Sequence, residues 1–248
     1  MRNIWVIAEK EYKHFFISPI AYTVAFAILL ILGFLFYNNV TYAITTSLMQ
    51  QNYVPDLNVI LSPLTTLLIF MVPAVTMRSM AEEQKSGTLE LLLTAPVRDW
   101  EVVVGKWLGC MLFMLTVLAL TWFYPIVLNQ LVQPGIDQGL MITGYLGIIL
   151  LSGAFLAIGV MMSSIIGNQI AAFFATLGIL LLLWMIGIPS QVQGAGGSQL
   201  LSYLDMSEHF YPTFQRGLIE LKDVVYYLSV IALALFLGSV SVETRRWR

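Results

Sequence analysis

Hydrophobic positions along this chain come in long unbroken runs, not in alternation. Residues 25–36, AFAILLILGFLF, and 177–187, LGILLLLWMIG, hold no ionisable side chain. A spanning helix needs about 20 apolar residues. Six runs are near that length: 20–37, 57–77, 107–128, 140–164, 168–188 and 224–242. Lipid gives the backbone no partner, so each span must satisfy its own hydrogen bonds as a helix. A membrane barrel would need polar and apolar residues in alternation, which these runs exclude. The expected fold is an all-α polytopic membrane protein with six transmembrane helices.

Polar positions gather between the runs, most densely in residues 78–106. That loop holds Arg78, Lys85, Arg98 and Lys106, and Glu82, Glu83, Glu90, Asp99 and Glu101, out of 12 basic and 14 acidic residues in the chain. It reads as a helix-turn-helix. Residues 79–85 continue out of the second run, and Gly87 allows a turn. TLELLL (88–93) then resumes with Leu89, Leu92 and Leu93 on one face. Thr94-Ala95-Pro96 breaks that helix, and Asp99 is the expected N-cap of the next. An apolar ridge ringed by mixed charge resembles an interface core with a polar rim. A partner surface is therefore expected, in preference to packing on its own bundle.

Residues 4–16 predict an amphipathic helix in the headgroup layer. Ile4, Trp5, Ala8, Tyr12, Phe15 and Phe16 share one face, and Glu9, Lys10 and Lys13 the other. Trp5, Tyr12 and Phe15 are its expected anchors, and Ser18-Pro19 ends it. It reads equally as a moving elbow and as a passive anchor. Charge continues through Lys13 and His14, and no small-residue cleavage site comes after the first run, so 20–37 is expected as a retained span. The segment 189–223 opens with a flexible stretch, 193–198, and then predicts one or two short helices at the outer surface. His209 lies there without the spacing of a metal or catalytic set, and reads as structural.

Composition agrees. The chain is 58% hydrophobic and 10% charged, against about 25% charged in soluble domains. No tandem repeat or soluble domain interrupts it, so residues 1–248 read as one membrane domain. The net charge of −2 comes with no basic patch for nucleic acid. The one cysteine, Cys110, permits no intramolecular disulfide and reads as a packing residue. Of the 12 basic residues, only Arg216 and Lys222 fall on the side opposite the termini. By the positive-inside rule both termini are expected in the cytoplasm.

Some chemistry is missing from the sequence. The six runs hold no Asp, Glu, Lys, Arg or His in their cores, and ion-coupled carriers usually need such groups there. Coupling through carbonyls at broken helices stays open. There is no HExxH and no phosphate-binding GxxxxGK[ST] loop. No catalytic, metal or cofactor residue is expected. What the spans do hold is kinks and small residues. Pro63 and Pro73 are expected to interrupt span two, and Pro125 span three. Gly105 and Gly109 form a GxxxG, and Gly153, Ala157 and Gly159 give span four a small face. These read either as a dimer or moving interface or as packing within one bundle.

Residues 77–109, MRSMAEEQKSGTLELLLTAPVRDWEVVVGKWLG, closely resemble the signature of ABC-2 type transporter permeases. The matching positions are Arg78, Ala81, Glu82, Glu83, Gly87, Thr88, Glu90, Leu91 to Leu93, Pro96, Gly105 and Lys106. SPIAY (18–22) resembles the entry to the family's first span. HFYPTFQRGLIELKDVVYYLS (209–229) resembles the outer helix of its gliding-motility and nitrous-oxide-reductase-maturation branch.

The resemblance implies a six-span permease of the bacterial inner membrane. It implies a second permease half, as a homodimer or a paralogous heterodimer, and a cytoplasmic ATPase subunit that binds the ATP and Mg. It implies that the N-terminal helix and the loop after span two meet that ATPase, whose closure rocks the halves and exports a substrate. Glu82 and Glu83 would then pair with basic groups on the ATPase, and Leu89, Leu92 and Leu93 would fill its groove. Gly87, Thr88, Glu90 and Pro96 would shape the loop, and Arg98 and Trp100 would close its rim. The alternative is a membrane anchor that transmits ATPase motion to an assembly or motility machine with no translocated substrate. The outer segment 189–223 would then take an extracytoplasmic partner. An ion-coupled carrier and an intramembrane enzyme are weaker alternatives.

Overall fold

The computed structural model describes residues 2–48, 55–86, 97–132, 135–187 and 198–246. Every regular element among them is a helix. In chain order these are α1 (Arg2–Ile17), α2 (Pro19–Leu48), α3 (Asn58–Thr76), α4 (Ala81–Ser86), α5 (Asp99–Thr121), α6 (Phe123–Leu131), α7 (Gln138–Ile165), α8 (Gln169–Met185) and α9 (Ser198–Leu204). A 3-10 turn (Phe214–Arg216) and α10 (Leu221–Arg246) complete the chain. The flexible stretch expected at 193–198 lies almost wholly outside the described residues.

Several helix ends differ from the apolar runs. Span one continues past residue 37 to Leu48. Polar Thr45 and Thr46 stay helical because their hydroxyls donate back to the carbonyls of Thr41 and Tyr42, at 3.1 and 2.7 Å. The third rod starts at Asp99, eight residues before the apolar run. Its N-cap is Arg98, not Asp99: Arg98 has extended backbone angles, and its N–H donates to the Glu101 carboxylate at 3.1 Å. Span two is not interrupted. Pro63 and Pro73 both sit inside a continuous α3. Pro125 does interrupt span three locally, at Trp122 between α5 and α6, where the backbone keeps helical angles and the rod runs on. The short connection before α8 ends at Asn168, whose side chain accepts the N–H groups of Ile170 and Ala171 at 2.9 and 3.3 Å, an N-cap.

Five rods among the described residues are long and apolar enough to cross a membrane: Ala21–Thr46, Asn58–Glu83, Asp99–Leu131, Gln138–Ile165 and Leu221–Thr244. The sixth predicted span, α8, has 17 residues. At 1.5 Å per residue it is about 25 Å long, short of a hydrocarbon core of about 30 Å. It still traverses the bundle. α7 and α10 run in the same direction, because Gly153 lies against Ile231 and Ser164 against Gly238. The chain leaves α7 at one end and enters α10 at the other, so α8 and the residues between it and α10 must carry it back. The far end of α8 is pinned there, with Met206 N–H donating to the Leu183 carbonyl at 3.0 Å.

α7 is the axis of the bundle, with Ile148, Leu151, Ala154, Phe155 and Leu156 buried along it. α3 lies parallel to it, with Thr76 against Gly159 and Leu61 against Gly144. α5 lies antiparallel, with Trp107 Nε1–H donating to the Gly153 carbonyl at 2.9 Å. Gly153 and Gly159 therefore face neighbours inside this chain. Two ends result. The distal end is closed by residues 198–217, with Met206, Phe210 and Phe214 buried. The other end gathers α1, α4, the start of α5 and the end of α7.

Candidate coupling site

α1 docks lengthwise on the first turns of α5. Gly105 and Gly109 make this possible. A Cβ at Gly109 would lie 2.5 Å from Glu11 Cβ and 3.0 Å from the Ala8 carbonyl, and one at Gly105 would lie 2.8 Å from Ile7 Cβ. The GxxxG is thus a seat for α1. Tyr12 and Thr116 hydrogen-bond through their hydroxyls at 3.1 Å. Phe15 stacks on Phe113 with centroids 4.8 Å apart. Asn3 Nδ2–H donates to Glu101 at 3.2 Å.

Beneath this contact lies Lys106, 1% exposed. Its ammonium donates to Glu11 Oε1 at 2.5 Å and to the Ser79 carbonyl at 2.6 Å. It also pairs with Glu83 Oε2 at 3.0 Å. An ammonium has three N–H donors, and three partners surround this one. They come from α1, the turn after α3, and α4. A single buried charge therefore ties three elements to α5. Ser163 at the end of α7 adds a fourth, its Oγ accepting the N–H groups of Met80 and Ala81 at 3.0 and 3.1 Å, which seats the start of α4.

The predicted site residues fall in several places. Glu82 and Glu83 sit on α4, with Glu82 exposed and Glu83 turned in to Lys106. Arg98 caps α5, and Trp100 on its first turn is 44% exposed. Tyr12 and Phe15 hold α1 to α5. Gly87, Thr88, Leu89, Glu90, Leu92, Leu93 and Pro96 lie outside the described residues. Trp5 does not share the packed face of α1 and is 59% exposed. At 3.6 residues per turn it sits about a quarter-turn from the line through Ile4, Ala8, Glu11 and Phe15. That line also carries a signal that the sequence pattern alone did not bring out. Glu11 is a carboxylate on the apolar stripe, and such a charge calls for a buried partner. Lys106, flanked by Gly105 and Trp107 in an apolar helix, was the matching signal.

His209, at the other end of the molecule, is buried. Its Nδ1 lies 2.7 Å from Asp223 Oδ1, and its Nε2–H donates to the Tyr203 carbonyl at 3.0 Å. The ring stacks on Tyr226 at 3.9 Å. Both nitrogens are engaged, so the histidine fastens residues 198–217 to α10.

A family model described as ABC-2 family transporter protein matches residues 34–206. That stretch is more than half of the chain and includes α4, Lys106 and the whole 78–106 loop. The chain belongs to the ABC-2 transporter family. No curated protein matches it. As an ABC-2 protein it is the membrane permease component of an ABC transporter, a multi-pass subunit that works with a separate ATPase. The ABC-2 match begins inside α2, so α1, which supplies Glu11 to the lysine node, lies outside it.

Proposed function

We propose that this chain is the permease half of an ATP-driven exporter, with its lysine-node end in the cytoplasm. The observation that carries the reading is the node itself. A membrane subunit that receives force needs its contact segment fixed to its spans. Here α4, at the root of the 78–106 loop, is joined to α1 and α5 through Lys106. A partner ATPase holding ATP and Mg would engage Glu82 and residues 87–96, with Arg98 and Trp100 at the rim. A second permease half would complete the path, and closure of the ATPases would rock the two halves. Excess basic charge at the node end supports the cytoplasmic assignment.

The test is co-purification with a candidate ABC ATPase from the same genome and hydrolysis in lipid nanodiscs. Glu82→Lys is the decisive variant, because Glu82 is exposed while Glu83 holds Lys106. The expected outcome is a wild-type complex whose hydrolysis responds to the permease, and a variant of unchanged folding that loses much of this response. Unchanged association and hydrolysis in Glu82→Lys would remove α4 from the interface. Hydrolysis coupled to the permease with no cargo crossing sealed vesicles would favour a force-transmitting anchor over an exporter.

A further inference from the structure

A cavity of about 230 Å³ opens beside the lysine node, between α1, the start of α2, the end of α3 and α4. Its lining is mixed: apolar Phe15, Ala21, Val24 and Val75 together with Lys10, Arg78, Glu82 and Lys106. The candidate spans of α2 and α3–α4 begin at Ala21 and end at Glu83 by length and composition, so the cavity lies where those spans would meet the headgroup layer. The charge of Lys106 is met by Glu11 and Glu83. Over the whole lining, Lys10, Arg78 and Lys106 balance Glu11, Glu82 and Glu83, so an anion would be drawn by local donors and not by net charge. Arg78 adds a specific signal: its Nε is buried and has no hydrogen-bond partner among the described residues. A buried donor without a partner requires an explanation, and an unseen ligand is one.

We propose that this cavity binds the phosphate of a phospholipid headgroup from the leaflet at the node end. Arg78 Nε and the Lys10 ammonium are its donors, and the apolar lining takes the glycerol and the first acyl carbons. Guanidinium groups suit phosphate because their donors form a fixed fork. Size argues against a cargo, since sites for drug-sized ligands run to about 300–1,000 Å³. The apolar lining argues against free phosphate, which would gain nothing from Phe15, Val24 and Val75. The lipid would stand against the same α1 and α4 that the lysine node joins, so its presence would bear on how that end is held.

The experiment is native mass spectrometry of the delipidated full-length chain, titrated with palmitoyl-oleoyl phosphatidylglycerol. Three variants are compared: Arg78→Gln, Val24→Phe, which fills the cavity from an apolar lining residue, and Lys13→Gln on the exposed face of α1. The expected result is one lipid retained by wild type and Lys13→Gln under activation that strips all others. Retention should fall about ten-fold in Arg78→Gln and similarly in Val24→Phe. Equal retention by all four folded proteins would overturn the proposal. So would displacement of that lipid by millimolar inorganic phosphate, which would make the ligand a soluble anion.

Discussion

Without its ammonium, Lys106 would leave Glu11 and Glu83 facing one another with nothing between. Breaking a buried pair by removing one partner costs about 3–5 kcal/mol. Both carboxylates reach some water, at 12% and 20% side-chain exposure, which places Lys106→Met at the lower end. Glu11→Gln keeps an oxygen for Lys106 and should cost less. A double-mutant cycle of the two, read by unfolding in mixed detergent, should give a coupling energy above about 1 kcal/mol. Additive effects would show that the node does not act as a unit. The glycines beside it give a second test. Gly109→Ala should destabilise, because its Cβ meets Glu11 Cβ at 2.5 Å, whereas Gly178 has nothing within 4 Å. Gly178→Ala should therefore stabilise, by up to about 1 kcal/mol, through helix propensity alone.

Helices were legible in the sequence where the apolar run and the helix coincide, as in α7 and α10. They were misread where local hydrogen bonding outlasts hydrophobicity. The threonines at 45 and 46 continue α2, and α3 runs on through Pro63 and Pro73 as one helix. Of the candidate site, Glu82, Tyr12 and Phe15 could be picked from pattern. The node could not, because its members are 95 and 23 residues apart in sequence and only the docking of α1 brings them together. The distal cap shows the same logic. His209→Phe would leave Asp223 buried with no ring partner, so residues 198–217 should become sensitive to protease added at the distal side. Asp223→Asn keeps an acceptor for the ring, and cleavage should rise less. Equal resistance in both would mean that Tyr226 and Tyr227, which donate to the Leu204 and Met206 carbonyls at 2.9 Å, hold the cap unaided.

Threading of the whole chain turns on α8. If a rod of about 25 Å crosses the bilayer, α1 and the end of α10 share one side and Lys222 lies on the other. The bilayer must then thin locally, or the flanking residues must complete the crossing, at a cost of fractions of a kcal/mol per Å of mismatch. The crossing can be read with single cysteines. Wild type supplies a quiet background, because its one thiol, Cys110, is fully buried. Lys13, Glu243 and Lys222 are exposed and accept a cysteine without touching the core. A membrane-impermeant maleimide added to intact cells should label Lys222→Cys alone. Lys13→Cys and Glu243→Cys should react only after lysis, and to the same extent. A different result for these last two positions would mean that α8 re-enters without crossing. α7 and α10 could not then both span in parallel, and the packing of Gly153 on Ile231 would have to belong to another arrangement.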